Sequence, residues 1–357
     1  MPLLLTDTDI DQLMTMSECV EVIEDSFRQV GKGQTWNRPR SRIRMPRGFH
    51  HLMAASVLGS DVFGLKTYTS FRSGVRFIVM LYDSNNGDLL AMVQGGRLTQ
   101  LRTGAVTSVA TQYMSREDSA TVGIIGTGNQ GRTQLAGVCE ARNIKSVKAY
   151  DRIEDSVKLF AEEMSAELDV EITTVESPEE AVKGSDIVVT MTTSRTPVLL
   201  GDWLEDGQHI NAAGSNHWIR QEVDDNVVRR ANSIIVDSLE DAQIEAGDLL
   251  YPIERGRIQW SQIKELADVV VGHITPRPSP SDIPLLQSQA LAVREPIGHR
   301  LDQAAGLARP APPRVAPVVG GRTPRRPGQA RALPPPPVHA TRPAPSTRPP
   351  DARQTRP

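Results

Sequence analysis

Apolar and polar positions along the chain fall into two contrasting patterns. From about Thr6 to Val30 the spacing is helical: Val20, Ile23, Phe27 and Val30 share one face, and the pattern stops at Gly31 and Gly33. Short β-like runs follow at 41–45, 63–71, 76–83 and 88–94, the last two joined as a hairpin through Asn85, Asn86 and Gly87. A helical pattern returns over 100–115. This first region, 1–115, reads as strand-rich with helices at its ends.

Beyond it, strands and helices alternate. Strand-like 120–125 leads into helical 130–142, then strand-like 146–151 and helical 154–167. A strand at 171–175 precedes a short helix with Ser177 as N-cap, Pro178 at its first position and Gly184 at its stop. Apolar runs of strand length recur at 186–193, 209–215, 233–238 and 268–272. Apolar strands alternating with helices imply a parallel sheet covered on both faces, here placed at 116–274.

Composition changes this picture mainly at the C-terminus. The 357 residues suffice for two domains with real cores. The net charge of −3 hides an asymmetry: residues 306–357 hold ten Arg, one Asp, no Lys and fifteen of the 26 Pro, which leaves +9 there and −12 on 1–305. No Phe, Tyr or Trp follows Trp260, so residues 301–357 are expected to be a disordered tail. Arginine diluted by proline, without aromatics, is poor support for nucleic-acid binding. The two cysteines, Cys19 and Cys139, lie far apart with no His cluster, which argues against a disulfide framework or a zinc site and fits a reducing compartment. The acidic start has no signal-peptide character and no apolar run matches a bilayer, so the expected location is cytoplasmic.

Candidate chemistry centres on the turn after the first strand of the second region. Gly126, Gly128 and Gly131 give a G-x-G-x-x-G run between a strand and a helix, and Asp151 follows twenty residues after Gly131, at the end of the next strand. Those positions permit a tight turn, approach of a pyrophosphate to the helix N-terminus, close helix–strand packing and a carboxylate for ribose hydroxyls. A carboxylate at 151 repels a 2′-phosphate and favours NAD over NADP, while Arg152 beside it keeps NADP possible. In the first region Arg42, Lys66 and Arg102 are cations within or beside apolar runs, readable either as site residues or as solvated positions. His50 and His51 are neighbours on a strand, point to opposite faces and cannot share a metal ion.

The stretches "GLK", "LYDSNNGDLLAMV", "LTQLRTGAVTSVAT", "IIGTGNQGRTQL", "NAAGSN…E" and "VDSLEDAQIEAGDL" occur in that order between about Leu4 and Ala292. Together they resemble the ornithine cyclodeaminase/mu-crystallin family. The resemblance implies an α/β protein: a Rossmann-type doubly wound parallel sheet plus a mixed α/β substrate and dimerisation domain, completed by about 275–300, in a homodimer. It also implies hydride transfer between nicotinamide and the α-carbon of an amino or imino acid. Arg42 and Arg102 would hold the substrate carboxylate, with Lys66 beside it and the reacting nitrogen. Gly126, Thr127, Gly128, Asn129, Gln130, Gly131, Asp151 and Arg152 would line the dinucleotide, with Thr192, Gly214 and Ser288 nearby. A cyclodeaminase carries a catalytic aspartate six residues before a glutamate; here that count back from Glu222 reaches Asn216. An amide cannot act as a base, so an imine reductase or amino acid dehydrogenase is expected ahead of ornithine cyclodeamination, with a substrate side chain that is neutral or short. The third reading is a mu-crystallin-like binder of NAD(P)H and a carboxylate ligand. The family's Phe-Lys-Ser-type motif is also altered, to Leu286, Gln287 and Ser288.

Overall fold

The computed structural model describes residues 2–58 and 62–289. The expected tail at 301–357, and the residues of the returning segment from 290, lie outside the described residues. The chain opens with β1 (Leu3–Leu5), α1 (Asp7–Leu13) and α2 (Met16–Gly31). The single helix expected over 6–30 is therefore two. Thr6 caps the first with Asp9, Thr15 caps the second with Glu18, and extended Met14 turns the chain between them.

Next come β2 (Thr35–Met45), β3 (Gly48–Val57), β4 (Val62–Phe71), β5 (Gly74–Asp83) and β6 (Leu89–Gln94). They form a six-stranded sheet in the order β1-β6-β5-β4-β3-β2, antiparallel except for β1 against β6. Neither β1 nor β3 is among the strands expected from the sequence. β3 runs through small and histidine residues, "GFHHLMAASV", and its alternation emerges only against its neighbours. One face of the sheet packs on α2 and on α3 (Gly95–Met114).

The second region continues through β7 (Thr121–Ile125), α4 (Asn129–Ala141), β8 (Ser146–Tyr150), α5 (Glu154–Leu168), β9 (Glu171–Thr174), α6 (Pro178–Val182), β10 (Ile187–Thr190) and β11 (His209–Ala212). It ends with α7 (Asp225–Arg230), β12 (Ser233–Val236), α8 (Leu239–Glu245), α9 (Gly247–Glu254), β13 (Ile263–Glu265), α10 (Leu266–Val270) and β14 (Pro284–Gln287). Eight parallel strands lie in the order β13-β12-β14-β11-β10-β7-β8-β9, a doubly wound sheet whose order reverses beside β7. Two expectations are corrected here. Residues 268–272 are not a strand, since Leu266–Val270 is helical and turns Leu266, Val269 and Val270 into the core shared with α2 and α3. And β14, beyond the boundary placed at 274, inserts between β11 and β12 of this sheet, so the chain returns to the second region after that point.

α3 joins the two halves. It is buried on nearly every side, and its small residues let it lie close to α4. A Cβ added at Gly104 would sit 2.1 Å from the Thr133 carbonyl oxygen, and one added at Gly137 would sit 2.2 Å from that of Gly104. Buried polar contacts hold α3 on both neighbours: Thr107 Oγ1 donates to Gln134 Oε1 of α4 at 2.5 Å, and Asn211 Nδ2 of β11 to Thr111 Oγ1 at 3.1 Å. Among the described residues no helix is long and apolar enough to cross a membrane.

Because backbone lies opposite each glycine, even a methyl group forces the two helices apart. Gly137→Ala is expected to lower unfolding free energy by about 1–3 kcal/mol, read from urea denaturation; unchanged stability would mean that the helices are not held at this separation.

Candidate active site

The glycine-rich turn connects β7 to α4. Gly126 has φ +101°, and its Cβ would meet the Met191 carbonyl oxygen at 2.5 Å, so only glycine suits that position. Gly131 makes the close helix–strand contact, since its Cβ would lie 2.4 Å from the Gly126 carbonyl oxygen. Gly128, the N-cap of α4, has nothing within 4 Å of the point a Cβ would occupy and no side-chain cap, so its face opens onto a groove of about 610 Å³. Asp151 and Arg152 line the far part of that groove. The Asp151 carboxylate accepts from Thr127 N at 2.9 Å, Thr127 Oγ1 at 3.1 Å and Ile153 N at 3.0 Å. Two of the expected dinucleotide contacts are corrected: Thr127 is fully buried and braces Asp151 instead of lining the groove, and Gly131 serves the packing of α4 on β7. An open glycine at a helix N-terminus, with a braced carboxylate across the groove, fits a dinucleotide.

A second cavity, about 490 Å³, shares Gly128, Met191, Thr192 and Thr193 with the groove, so the two adjoin along that wall. Arg42, Lys66, Arg102 and Asn216 all line it, as do Asn129, Gln130, Gly214 and Ser288. They arrive from β2, β4, α3, the β11–α7 loop, the start of α4 and the end of β14. Strand alternation puts Lys66, Tyr68 and Ser70 of β4 on the inner face, with His51 of β3 and Phe77 of β5. Lys66 is only 2% exposed, and its ammonium lies 5.1 Å from the centroid of Phe77 and 5.9 Å from that of Tyr68. Arg102 is equally buried.

Several contacts around the cavity carry no signal in the local sequence. Arg40 and Arg42 both pair with Glu245 at the end of α8, at 2.6 and 2.8 Å. Arg40 also donates to the Gln289 carbonyl oxygen at 3.0 Å. Burial raises the Glu245 pKa, and the two guanidiniums oppose that shift. His51 stacks on Tyr68 with centroids 4.1 Å apart, and its Nε2 lies 3.0 Å from Ser70 Oγ. Burial, then Arg42 and Arg40, push its pKa down to about 4, so it is neutral near pH 7. His50, on the other face, bonds Thr67. The "RPRSRIR" stretch signals cations, but their partner lies some two hundred residues away and has no local cue.

A sequence model of the ornithine cyclodeaminase/mu-crystallin family matches residues 1–297. The chain belongs to that family. Δ1-Pyrroline-2-carboxylate reductase of Bacillus cereus is 30% identical over 301 residues, covering 82% of this chain and 92% of the relative. Alanine dehydrogenase of Archaeoglobus fulgidus is 30% identical, with 82% and 91% covered. The solved structure of Δ1-pyrroline-2-carboxylate reductase of Thermococcus litoralis, in complex with NADH and L-proline, matches with a TM-score of 0.83 at 36% identity, over 86% of this chain and 98% of that one. An archaeal alanine dehydrogenase dimer with bound NAD matches with a TM-score of 0.81 at 28% identity, over 86% and 97%.

In this family member the loops at the junction of groove and cavity rest on a buried carboxylate. Glu222 accepts from Thr190 Oγ1 at 2.9 Å, from Gly214 N at 2.7 Å and from Thr192 N. A Cβ at Gly214 would meet that carboxylate at 2.6 Å, so glycine makes room for it. Asp248 accepts from the amides of Glu222 and Val223 at 2.6 and 3.1 Å. Ser288 Oγ donates to Asp237 at 2.9 Å. Asn216, at the position where a cyclodeaminase carries aspartate, has its Oδ1 held by Arg220 Nη1 at 2.9 Å.

Burial, and then the neighbouring Glu222, push the Asp248 pKa up from 3.8 to about 8. A raised carboxyl pKa stabilises the fold fully below the unfolded value and loses that contribution as pH rises through the folded one. Asp248→Asn keeps an acceptor for both amides and cannot ionise. The fall in melting temperature between pH 5 and 9 is therefore expected to be shallower in the variant, and parallel curves would show that Asp248 does not titrate in this window.

Proposed function

We propose that this protein is an NAD-dependent oxidoreductase that reduces an imino acid, or oxidises the corresponding amino acid, at its α-carbon. The observation that carries this reading is the adjacency of the two cavities: buried Lys66 and Arg102 line a space that shares Gly128 and Thr192 with the glycine-rich groove. The names of the relatives, reductases of a cyclic imino acid and alanine dehydrogenases, support the same reaction class. NADH and NAD in the similar structures support the cofactor.

Each residue then has a physical role. The α4 amides and the bare Gly128 receive the pyrophosphate, and Asp151, oriented by Thr127, accepts from the ribose hydroxyls. A bound dihydronicotinamide supplies hydride. Arg102 and Arg42 hold the substrate carboxylate, the second kept in place from behind by Glu245. Lys66, buried against two aromatic rings, orients the reacting nitrogen and exchanges a proton with it. Gly214 and Thr192, fixed by Glu222, shape the wall between them. Asn216 cannot remove a proton from a distal amine, and its carboxamide oxygen is already engaged by Arg220, which disfavours ornithine cyclisation.

The protein is also proposed to be a homodimer. The outer face of the six-stranded sheet, opposite Lys66, exposes Trp36 (72%), Ile43 (50%), Phe63 (37%) and Ile78 (41%). A row of this kind on a sheet suits a second copy, and one similar structure is a dimer.

NADH oxidation is expected with a 2-oxo acid plus ammonia or with a cyclic imino acid, and negligible proline is expected from L-ornithine. Arg102→Lys keeps the charge but loses the fork, so kcat/KM is expected to fall by roughly 10²-fold while NADH binding persists. Wild-type kinetics in that variant would remove Arg102 from the site, and NADH binding without any turnover would favour a ligand-binding protein. Light scattering is expected to give twice the 39.1 kDa chain mass, with Ile78→Asp shifting it toward monomer; a monomeric wild type would overturn the dimer.

A further inference from the structure

Arg40, Arg42, Lys66, Arg102 and Arg220 line the substrate cavity, and no aspartate or glutamate lines it among the described residues. Glu245 approaches from behind and pairs with Arg40 and Arg42. Arg220 is different. Its guanidinium is half-buried, and Nη1 donates to two neutral oxygens, Asn216 Oδ1 at 2.9 Å and the Gly214 carbonyl at 3.2 Å. Among the described residues no carboxylate forms an ion pair with it. Burial is the main influence lowering its pKa, and Arg195 and Arg40 add to the positive surroundings. Glu222, whose charge opposes that shift, is occupied by Thr190, Thr192 and Gly214.

We propose that Arg220 reads a second acidic group on the substrate, so that the preferred amino or imino acid is dicarboxylic. This rests on the reading above, that the cavity holds an amino or imino acid beside the dinucleotide. Lys66 and Arg102 come from β4 and α3, whereas Arg220 comes from the β11–α7 loop, so the cavity presents cations from separate walls. A guanidinium already taken partly out of water, and held by neutral acceptors only, gains most from an incoming carboxylate through charge-assisted, two-point hydrogen bonding. Asn216 has a defined part in this. It fixes the direction of the guanidinium without cancelling its charge; an aspartate there would neutralise it. The expectation of a neutral side chain follows from Asn216 alone and is revised by Arg220, because the charge that faces the substrate side chain is that of the arginine.

Equilibrium binding to the NADH-loaded protein separates the possibilities, with succinate and butyrate as four-carbon probes that differ in one carboxylate. Succinate is expected to bind at least roughly 10-fold more tightly than butyrate, with the difference largely lost in Arg220→Gln and partly kept in Arg220→Lys. Equal binding of the two probes by the wild type would overturn the proposal without any variant being needed, and so would an unchanged preference in a folded Arg220→Gln. Turnover gives the second arm. NADH oxidation with oxaloacetate plus ammonia is expected to exceed that with pyruvate plus ammonia. Turnover of pyruvate alone would overturn the dicarboxylic assignment and leave the oxidoreductase intact. No turnover of any 2-oxo acid with ammonia or of any cyclic imino acid, with the succinate preference retained, would overturn the oxidoreductase and leave Arg220 as an anion reader.

Discussion

Gly104 of α3 and Gly137 of α4 bring two helices so close that backbone meets backbone, each added Cβ lying about 2 Å from a carbonyl oxygen of the facing helix. Much of the site's geometry depends on that contact. α3 carries Arg102 two residues before Gly104, and α4 begins at the glycine-rich turn that frames the dinucleotide groove. Fixing the two helices against each other fixes Arg102, the proposed substrate anchor, relative to the glycine-rich turn proposed to receive the phosphates. The Thr107–Gln134 contact lies at the same interface, while that of Thr111 with Asn211 ties α3 to β11 of the parallel sheet. Such short-range constraints matter because a displacement of about 1 Å at a reacting centre can cost two orders of magnitude in rate.

Carboxylates placed behind the cavity supply the second layer of organisation. Glu245 holds Arg40 and Arg42 from α8, while Glu222 gathers amides and a hydroxyl from two loops at the groove's edge. Neither lines the cavity itself. The acidic groups thus act through the residues they hold, and the charged side chains lining the cavity among the described residues are cationic. For a protein whose first 305 residues carry −12 overall, a cavity of this sign is a local construction that net charge does not forecast.

The parts legible in the sequence are those whose partners are near in the chain. Strand, glycine turn, helix and Asp151 occupy one short segment, and the groove has that arrangement. Lys66 stands out as a cation in an apolar strand, and it is buried on the inner face. Illegible are contacts made across long separations: Arg40 with Glu245, Asn37 with Asp241, and β14 inserted between β11 and β12. Local pattern also misleads twice. The apolar run ending at Val271 has the length of a strand, and only its packing against α2 makes it a helix. The break at Thr15 is hidden because both helices keep their apolar face toward the same core. Thr127 shows a subtler limit, since a residue inside a binding motif can serve by bracing its neighbour.

The central claim is that the cavity brings the α-carbon of an amino or imino acid to the nicotinamide end of the groove. Isotope transfer tests it most directly. The protein would be incubated with NADH deuterated at C4 on the transferred face, and with a 2-oxo acid and ammonia, followed by mass spectrometry and NMR of the amino acid formed. One deuterium is expected in the product, located at its α-carbon. Product carrying no deuterium from either C4 face, or deuterium located anywhere but the α-carbon, would contradict it.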